Sequence, residues 1–291
     1  YKVTATTVND TDAKTLLDVT ADGNANPTVL PAGQTPQKDI DDAVHNVILH
    51  PNTGPFIGKQ LIQKLVTGNP SPAYVQRVAA KFANNGSGVR GDLKAVVRAV
   101  LLAPEARGPA KADPAFGTLR EPVLMFTGLV RALNGVTDGS ALGDRAGALQ
   151  QRPYYAPSVF NYFQPDSMVP GTSLLAPEFG IYNSNAAVAR TNQVYSLVYG
   201  GINPDGNLAD AKGTRLNTMQ FEPFATDAAT LTDKVSEALL GAALPAAARN
   251  LVITAVNAIT LSATPTAQQK TDRARMAVYL IASSNHFQIQ R

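Results

Sequence analysis

Residues 156–185 constrain the fold more than any other part of this sequence, because they hold four prolines and five aromatic residues. Each proline lacks a backbone N–H and restricts the residue before it, so no long helix can run through this stretch. Its aromatic content is too high for a disordered segment. We therefore predict an ordered, irregular connection that is held by buried rings such as Phe160, and we call residues 156–185 the aromatic belt.

The polar side chains of the aromatic belt need partners, and two interpretations remain open. In the first, they cap neighbouring helices or accept backbone hydrogen bonds, as most buried polar side chains do. In the second, they contact a ligand or a partner macromolecule. The candidate binding residues are Asn161, Tyr162, Phe163, Gln164, Asp166, Glu178, Tyr182 and Asn183.

Helical signals dominate the chain before the aromatic belt. Thr35 and Ser71 each precede a proline, which is a typical helix start, and Asp92 is a further N-cap candidate. Apolar residues at helical spacing follow these starts and are expected to face a core. Among them are Val44, Val47, Ile48, Phe56, Leu65, Leu93 and Leu101.

Helices are predicted at about Arg120–Leu133, the central helix, and at Ser184–Tyr199. Three more are predicted near the C-terminus, at Leu231–Leu240, Pro245–Ile259 and Thr271–Ser283. Their pattern of starts and stops weakly repeats that of residues 55–106. We therefore predict a mainly α fold in which two three-helix modules flank the aromatic belt. A minor β element is expected near the N-terminus, where Lys2–Thr6 alternates in polarity.

The predicted organisation is one irregular segment followed by one helical domain. Each three-helix module alone is too small for a strong core, so we expect the two to pack together. The irregular segment is predicted at residues 1–34 and the single helical domain at residues 35–291. Within this domain we predict a helical module at 35–106, the central helix and aromatic belt at 107–228, and a second helical module at 229–291.

Composition narrows the possible functions. The chain has no cysteine, which excludes disulfides, thiolate catalysis and cysteine metal sites. His45 and His50 lie about 140° apart on a helix, so they cannot chelate one metal from one face. Basic residues are scattered despite a net charge of +3, and no apolar run reaches 18 residues. We therefore expect no metal, no cofactor, no nucleic-acid partner and no membrane span.

Four short segments resemble motifs of one protein family. Residues 158–166 (Ser-Val-Phe-Asn-Tyr-Phe-Gln-Pro-Asp) and 175–179 (Leu-Ala-Pro-Glu-Phe) are similar to the signature of the DUF1800 family. Residues 50–57 and 120–122 (Arg-Glu-Pro) are similar to two further motifs of that family. The resemblance runs from about residue 10 to the end and covers the C-terminal part of a typical member.

The resemblance implies an exported bacterial protein of unknown function. It also implies that a signal sequence and a helical region precede Tyr1 in the full gene. It makes His50, Arg120 and Glu121 motif positions, for which we expect structural roles. His50 would cap a helix end through its ring N–H, Glu121 would favour a helix start, and Arg120 would pair with Asp166 or Glu178.

Two functional hypotheses follow. The first is a non-catalytic structural or binding protein outside the cytoplasm (periplasmic, cell-surface or secreted) that presents the aromatic belt to another exported protein or an extracellular glycan. Tyrosines, including Tyr154 and Tyr155 just before the belt, would supply contact area. The alternative is an extracellular hydrolase of a polysaccharide, with Asp166 and Glu178 as acid and base. No recognisable catalytic motif is present, so no catalytic residue is assigned and the first hypothesis is favoured.

Overall fold

A computed structural model describes residues 10–17 and 29–291 of the chain. The first described elements are two short strands, β1 (Lys14–Thr15) and β2 (Val29–Leu30), which pair antiparallel. A minor β element is therefore present near the N-terminus, within the segment 1–34 that was expected to be otherwise irregular. The predicted strand at Lys2–Thr6 lies outside the described residues.

Helices in the first half begin where the sequence supplies caps. The side-chain oxygens of Thr35, Ser71 and Asp92 each accept a hydrogen bond from a first-turn N–H group, at 3.1–3.3 Å. These caps confirm three predicted helix starts. The helices are α1 (Pro36–Leu49), α2 (Thr53–Leu65), α3 (Pro72–Ala83), α4 (Leu93–Leu101) and α5 (Pro104–Arg107), followed by a 3-10 helix at Pro109–Ala112.

Helices α2, α3 and α4 pack around one apolar cluster, which confirms the first three-helix module. The buried members of the cluster are Ile62, Tyr74, Val78, Phe82, Val96, Val100 and Ala103. The predicted burial was wrong at the margins of these helices, since Phe56, Leu65, Leu93 and Leu101 are exposed. Helical spacing identifies a face, but a short helix buries only the part of that face which meets a neighbour.

Helix α1 also departs from the predicted burial. Its apolar residues Val44, Val47 and Ile48 are exposed, whereas Asp39 and Asn46 are buried. Asp39 forms an ion pair with Lys14 at 3.1 Å, and Asn46 donates a hydrogen bond to the Leu17 carbonyl at 2.8 Å. The polar face of α1 therefore packs on residues 14–17, and these long-range partners could not be read from helical spacing.

His50 lies at the junction of α1 and α2, but its role differs from the predicted ring N–H cap. Its ring Nδ1 accepts a hydrogen bond from the Asn52 N–H at 3.1 Å. The end of α1 is capped by Arg90 instead, which donates to the carbonyls of Ile48 and His50 at 2.9 and 3.0 Å. A guanidinium satisfies several terminal carbonyls at once because its N–H donors are arranged as a fork.

The second half is built from longer helices joined by short paired strands. The predicted helix at 184–199 and the three predicted C-terminal helices are all present. The elements are β3 (Thr118–Leu119), α6 (Pro122–Ala132), β4 (Val136–Thr137), α7 (Leu142–Gly147), a 3-10 helix at Pro177–Ile181, α8 (Ser184–Tyr199), β5 (Thr214–Arg215), a 3-10 helix at Met219–Phe224, α9 (Ala228–Leu240), α10 (Ala246–Asn257), α11 (Ala267–Ser283), α12 (Asn285–Gln288) and β6 (Ile289–Gln290).

The core of the second half lies among α6, α8, α9, α10 and α11. Leu129, Val194, Leu231, Val256 and Val278 are fully buried in one apolar cluster. Strand β3 pairs antiparallel with β6, and β4 pairs with β5, so sequence-distant segments close around this core. The fold is mainly α, with the aromatic belt lying between two three-helix modules in the sequence, as predicted.

The chain divides into two compact units, Tyr1–Phe116 and Gly117–Arg291. The division falls ten residues beyond the predicted end of the first module at 106. The expectation that the modules pack into one domain stays a prediction. Among the helices of the described residues, none combines the length and apolarity needed to cross a membrane.

Candidate functional site

The aromatic belt is held at its start by Gln151, a buried residue that follows α7. The Gln151 amide oxygen accepts a hydrogen bond from the Val123 N–H at 3.0 Å, and its amide nitrogen donates to the Glu121 carboxylate. Val123 lies in the first turn of α6, where N–H groups have no partner within the helix. Gln151 therefore caps α6 from outside and connects the belt to the Arg-Glu-Pro motif.

A tight turn at residues 152–155 follows this anchor. The Tyr155 N–H donates to the Arg152 carbonyl at 3.1 Å, and Pro153 and Tyr154 occupy the two central positions. Tyr154 has a φ of 67°, a value that non-glycine residues rarely adopt. Proline followed by a positive φ is the pattern of a type II turn, which normally carries glycine or asparagine at the second position. A tyrosine there is strained.

A second tight turn spans residues 158–161. The Asn161 N–H donates to the Ser158 carbonyl at 3.1 Å, and Asn161 has a φ of 71°. Asparagine tolerates this conformation better than most residues. Val159 and Phe160 form the tip of this turn.

Tyr162 joins the two turns. Its hydroxyl donates to the Arg152 carbonyl and accepts a hydrogen bond from the Tyr155 N–H at 3.3 Å. The Arg152 guanidinium also lies over the Tyr155 ring, 4.2 Å from its centroid. The turns are therefore fixed to each other through one side chain rather than free to move independently.

Four apolar or aromatic side chains of the two turns are exposed, and we call them the exposed patch: Tyr154, Tyr155, Val159 and Phe160. Tyr154 and Val159 have relative exposures of 102% and 95%, and Tyr155 is also largely exposed. Phe160 is 39% exposed, so the expectation that it is a buried, pinning ring was wrong.

The ring that is buried is Phe163, at 7% exposure. It packs against Gly180 of the 3-10 helix, where an added Cβ would lie only 2.8 Å from the Phe163 Cβ. Between Phe163 and Gly180 in the sequence, the backbone folds back on itself. The Ala176 N–H donates to the Ser167 carbonyl and the Val169 N–H donates to the Leu174 carbonyl, both at 2.9 Å. This part of the belt is ordered by backbone hydrogen bonds and one close contact.

Arg190 on α8 anchors the end of the aromatic belt. It is 4% exposed, and its guanidinium lies over the Tyr182 ring at 5.3 Å from the centroid. It donates to the Gln288 side-chain oxygen at 2.7 Å and to the Arg120 carbonyl. Burial lowers the pKa of Arg190 to about 10, a shift opposed by the interactions of Arg190 with Tyr182 and Glu178. Arg190 therefore stays protonated at neutral pH.

Arg120 does not pair with Asp166 or Glu178, contrary to the sequence expectation. Its guanidinium lies over the Phe287 ring at 4.5 Å from the centroid, and the Arg120 backbone N–H donates to the Gln288 carbonyl at 2.7 Å. The negative charge of Glu178 acts on Arg190 instead. The motif residue Arg120 therefore contacts the C-terminal segment. Arg190, and not Arg120, is the arginine that lies next to the aromatic belt.

The candidate binding residues divide into two groups. Asn161, Gln164 and Asp166 are exposed, whereas Phe163 and Glu178 are buried. The side chains of Tyr162, Tyr182 and Asn183 have structural contacts, since Asn183 accepts the Ala186 N–H at 2.9 Å and caps α8. Asp166 and Glu178 thus lie in different environments, one in solvent and one at 3% exposure.

Sequence reasoning missed Arg190, Gln151 and Gln288. A signal for Arg190 was present, because it shares the buried face of α8 with Ala186 and Val194, at four-residue spacing. A charged residue within an apolar stripe indicates a buried partner. Gln151 lies in an irregular segment and Gln288 in a one-turn helix, where no periodicity marks a buried side. Across residues 10–17 and 29–291, no group of three or more His, Cys, Asp or Glu residues is placed to bind a metal.

Comparison with known proteins gives one result. No curated protein and no solved structure matches the chain. The family described as "Protein of unknown function (DUF1800)" matches residues 2–289, which is nearly the whole chain. The chain therefore belongs to the DUF1800 family.

Proposed function

We propose that this chain is an exported bacterial binding protein that presents the exposed patch to a partner protein outside the cytoplasm. The observation that carries the proposal is Tyr154, which is fully exposed at a φ of 67°. A left-handed conformation costs a non-glycine residue roughly 1–2 kcal/mol, which glycine would avoid. Strain of this kind clusters at functional sites, where the side chain itself is needed.

The chemistry of the exposed patch fits a protein partner. Two tyrosines offer rigid rings with a polar tip, and Val159 and Phe160 add purely apolar surface. Exposed apolar groups that cluster on a monomer mark interaction sites. Asn161, Gln164 and Asp166, which follow the exposed patch closely in the sequence, are exposed polar residues of the kind that form the rim of a typical interface.

Export is supported by family membership and composition. The motif resemblance implies exported proteins, and charged residues make up only 16% of the chain. Fractionation of the native host tests this proposal, with the mature protein expected outside the cytoplasm. Recovery from cytosolic fractions alone would contradict it.

The alternative of a polysaccharide hydrolase receives less support. Glycosidase carboxylates flank one scissile bond at a defined separation. Here Asp166 lies in solvent, whereas Glu178 is buried within the field of Arg190. A buried carboxylate near a guanidinium is better suited to holding the fold than to protonating a substrate.

The experiment that tests the proposal compares two immobilised variants with the parent protein. The patch variant replaces Tyr154, Tyr155 and Val159 by serine. The control replaces two exposed apolar residues on other elements, Val188 and Met219, by serine. Each is exposed to solubilised envelope proteins and, separately, to envelope polysaccharide from the native host.

We expect the parent and the control to retain the same envelope protein, and the patch variant to lose it. Equal retention by the patch variant would contradict the proposal. If the parent retains polysaccharide but no protein, and the patch variant does not retain that polysaccharide, then the partner is a glycan and not a protein.

A further inference from the structure

We propose that the second unit binds a single-chain aliphatic carboxylate of the fatty-acid type, in a groove along α10, α11 and α12 that ends at Arg120. This site is separate from the exposed patch and does not depend on the proposed partner protein. Its two parts are an apolar cavity that would take the chain and a basic cavity that would take the carboxylate.

The apolar part has a volume of about 340 Å³. It lies between α10 and the end of α11, and most of its wall is aliphatic. Leu251 is 73% exposed on its outer side, although α10 belongs to the apolar core of the unit. The lining side chains include Leu244, Ala248, Leu251, Val252, Leu280 and Ile281.

The basic part has a volume of about 370 Å³ and shares Asn285 and His286 with the apolar part. Arg120, His286 and Arg291 line it, together with the loop between α9 and α10. No acidic side chain is among the residues that line either part. The two cavities thus adjoin at two shared residues, with aliphatic groups lining one and basic groups lining part of the other.

Arg120 is the group that most requires an anion. Its Nε is buried and has no hydrogen-bond partner, and none of the ion pairs formed among the described residues includes Arg120. Its guanidinium lies over the Phe287 ring, and burial lowers the pKa of Arg120. A partly buried cation without a counter-charge is unfavourable, and a carboxylate that accepts two of its N–H groups would remove that penalty.

The position of Arg120 is fixed before any ligand arrives. Its backbone N–H donates to Gln288, its carbonyl accepts from the buried Arg190, and β3 next to it pairs with β6. Gly128 leaves space for the guanidinium, because a Cβ there would lie 3.1 Å from Arg120 Nη1. A preorganised cation loses little conformational entropy on binding, which favours affinity.

The ligand class follows from the two parts together. Cavities of about 300–1,000 Å³ typically hold small molecules, and mostly apolar walls with a few polar groups fix their orientation. A short carboxylate would leave the apolar cavity unfilled, and an alcohol would leave Arg120 without a counter-charge. A medium-chain fatty acid would both fill the apolar cavity and supply the counter-charge.

Titration calorimetry with decanoate tests the site in the intact protein. Butyrate, which has the charge without the length, and decanol, which has the length without the charge, are the comparison ligands. We expect decanoate to bind and both comparison ligands to bind at least 10-fold more weakly. Binding of decanol as tight as that of decanoate would overturn the role of Arg120.

Substitutions then test separately the roles of the basic part and the apolar part of the site in decanoate binding. Arg120→Gln is expected to weaken decanoate binding about 10- to 100-fold, the usual loss for a charge-assisted hydrogen bond. Arg131→Gln, an exposed arginine of the same region, is the matched control and should not change the affinity. Leu251→Gln should also weaken binding, whereas Val188→Gln, at another largely exposed apolar position on α8, should not.

A thermal melt separates a binding role from a structural one. Without ligand, Arg120→Gln should melt close to the parent temperature, because the lost contact with the Phe287 ring is offset by the removal of an uncompensated cation. With decanoate, the parent should gain stability and Arg120→Gln should not. Absence of decanoate binding to the parent, or equal binding of decanoate by Arg120→Gln, would overturn the proposal.

Discussion

Arg190 Nη1 donates a hydrogen bond of 2.7 Å to Gln288 Oε1, and this contact joins residues 98 positions apart in the sequence. Gln288 in turn donates through Nε2 to the Ala282 carbonyl at 2.9 Å. The same guanidinium donates to the Arg120 carbonyl and lies over Tyr182. One buried side chain therefore connects α8, the Arg-Glu-Pro motif, the end of the aromatic belt and α12.

Replacement of Arg190 by leucine should destabilise the second unit by about 2–5 kcal/mol. The loss leaves the Gln288 side-chain oxygen and the Arg120 carbonyl without donors in a buried setting. Urea unfolding monitored by circular dichroism measures the effect, with Arg131→Leu as the exposed control. Equal midpoints for the two variants would show that the buried network contributes nothing.

Two phenylalanines of the aromatic belt should behave differently when each is truncated to alanine. Phe163 is 7% exposed, so Phe163→Ala should cost about 3–5 kcal/mol. Phe160 is 39% exposed at a turn tip, so Phe160→Ala should cost roughly 1 kcal/mol or less. The thermal melts of both variants check this order. A larger loss for Phe160→Ala would mean that the wrong ring has been assigned to the interior.

The capping rules and helical periodicity account for most of what could be predicted from the sequence. Helix α8 is an example, because its predicted bounds 184–199 match those observed and Asn183 is its N-cap. Such signals lie within a few residues of the structure that they specify. The same locality explains the correct starts at Thr35, Ser71 and Asp92.

The arrangement of the aromatic belt could not be predicted in the same way. An irregular segment has no periodicity, so nothing in the sequence distinguishes the buried Phe163 from the exposed Phe160. The anchors are also remote in sequence, since Gln151 meets Glu121 across 30 residues. Arg120 was expected near the belt carboxylates, but the pairing of β3 with β6 places it beside Phe287.

Close packing of the 3-10 helix against Phe163 predicts the effect of a single added methyl group. Gly180→Ala would place its Cβ 2.8 Å from the Phe163 Cβ, so it should destabilise the protein by about 1–3 kcal/mol. Gly143→Ala in α7 meets nothing within 4 Å and should be neutral or stabilising by up to about 1 kcal/mol. Differential scanning calorimetry of both variants tests the contrast. A neutral Gly180→Ala would show that the belt adjusts freely around Phe163.

Asp138 gives a prediction about acid stability. Hydrogen bonds from Ser140, Lys212 and Gly213 lower the pKa of its carboxyl well below the usual value. A lowered folded-state pKa contributes stability above the unfolded-state value of about 4, and this contribution is lost as the pH falls towards the folded-state value. The difference in melting temperature between the parent and Asp138→Ala should therefore shrink between pH 6 and pH 2. A difference that stays constant over this range would contradict the assignment.

The central claim is that Tyr154 is kept in a strained conformation because its side chain is needed for binding. Tyr154→Gly separates the two effects, since glycine adopts a φ of 67° without steric cost. The measurement is the melting temperature of Tyr154→Gly together with its retention of the envelope partner that the parent captures. We expect the melting temperature to be equal or higher and the retention to fall. A lower melting temperature with unchanged retention would contradict the claim.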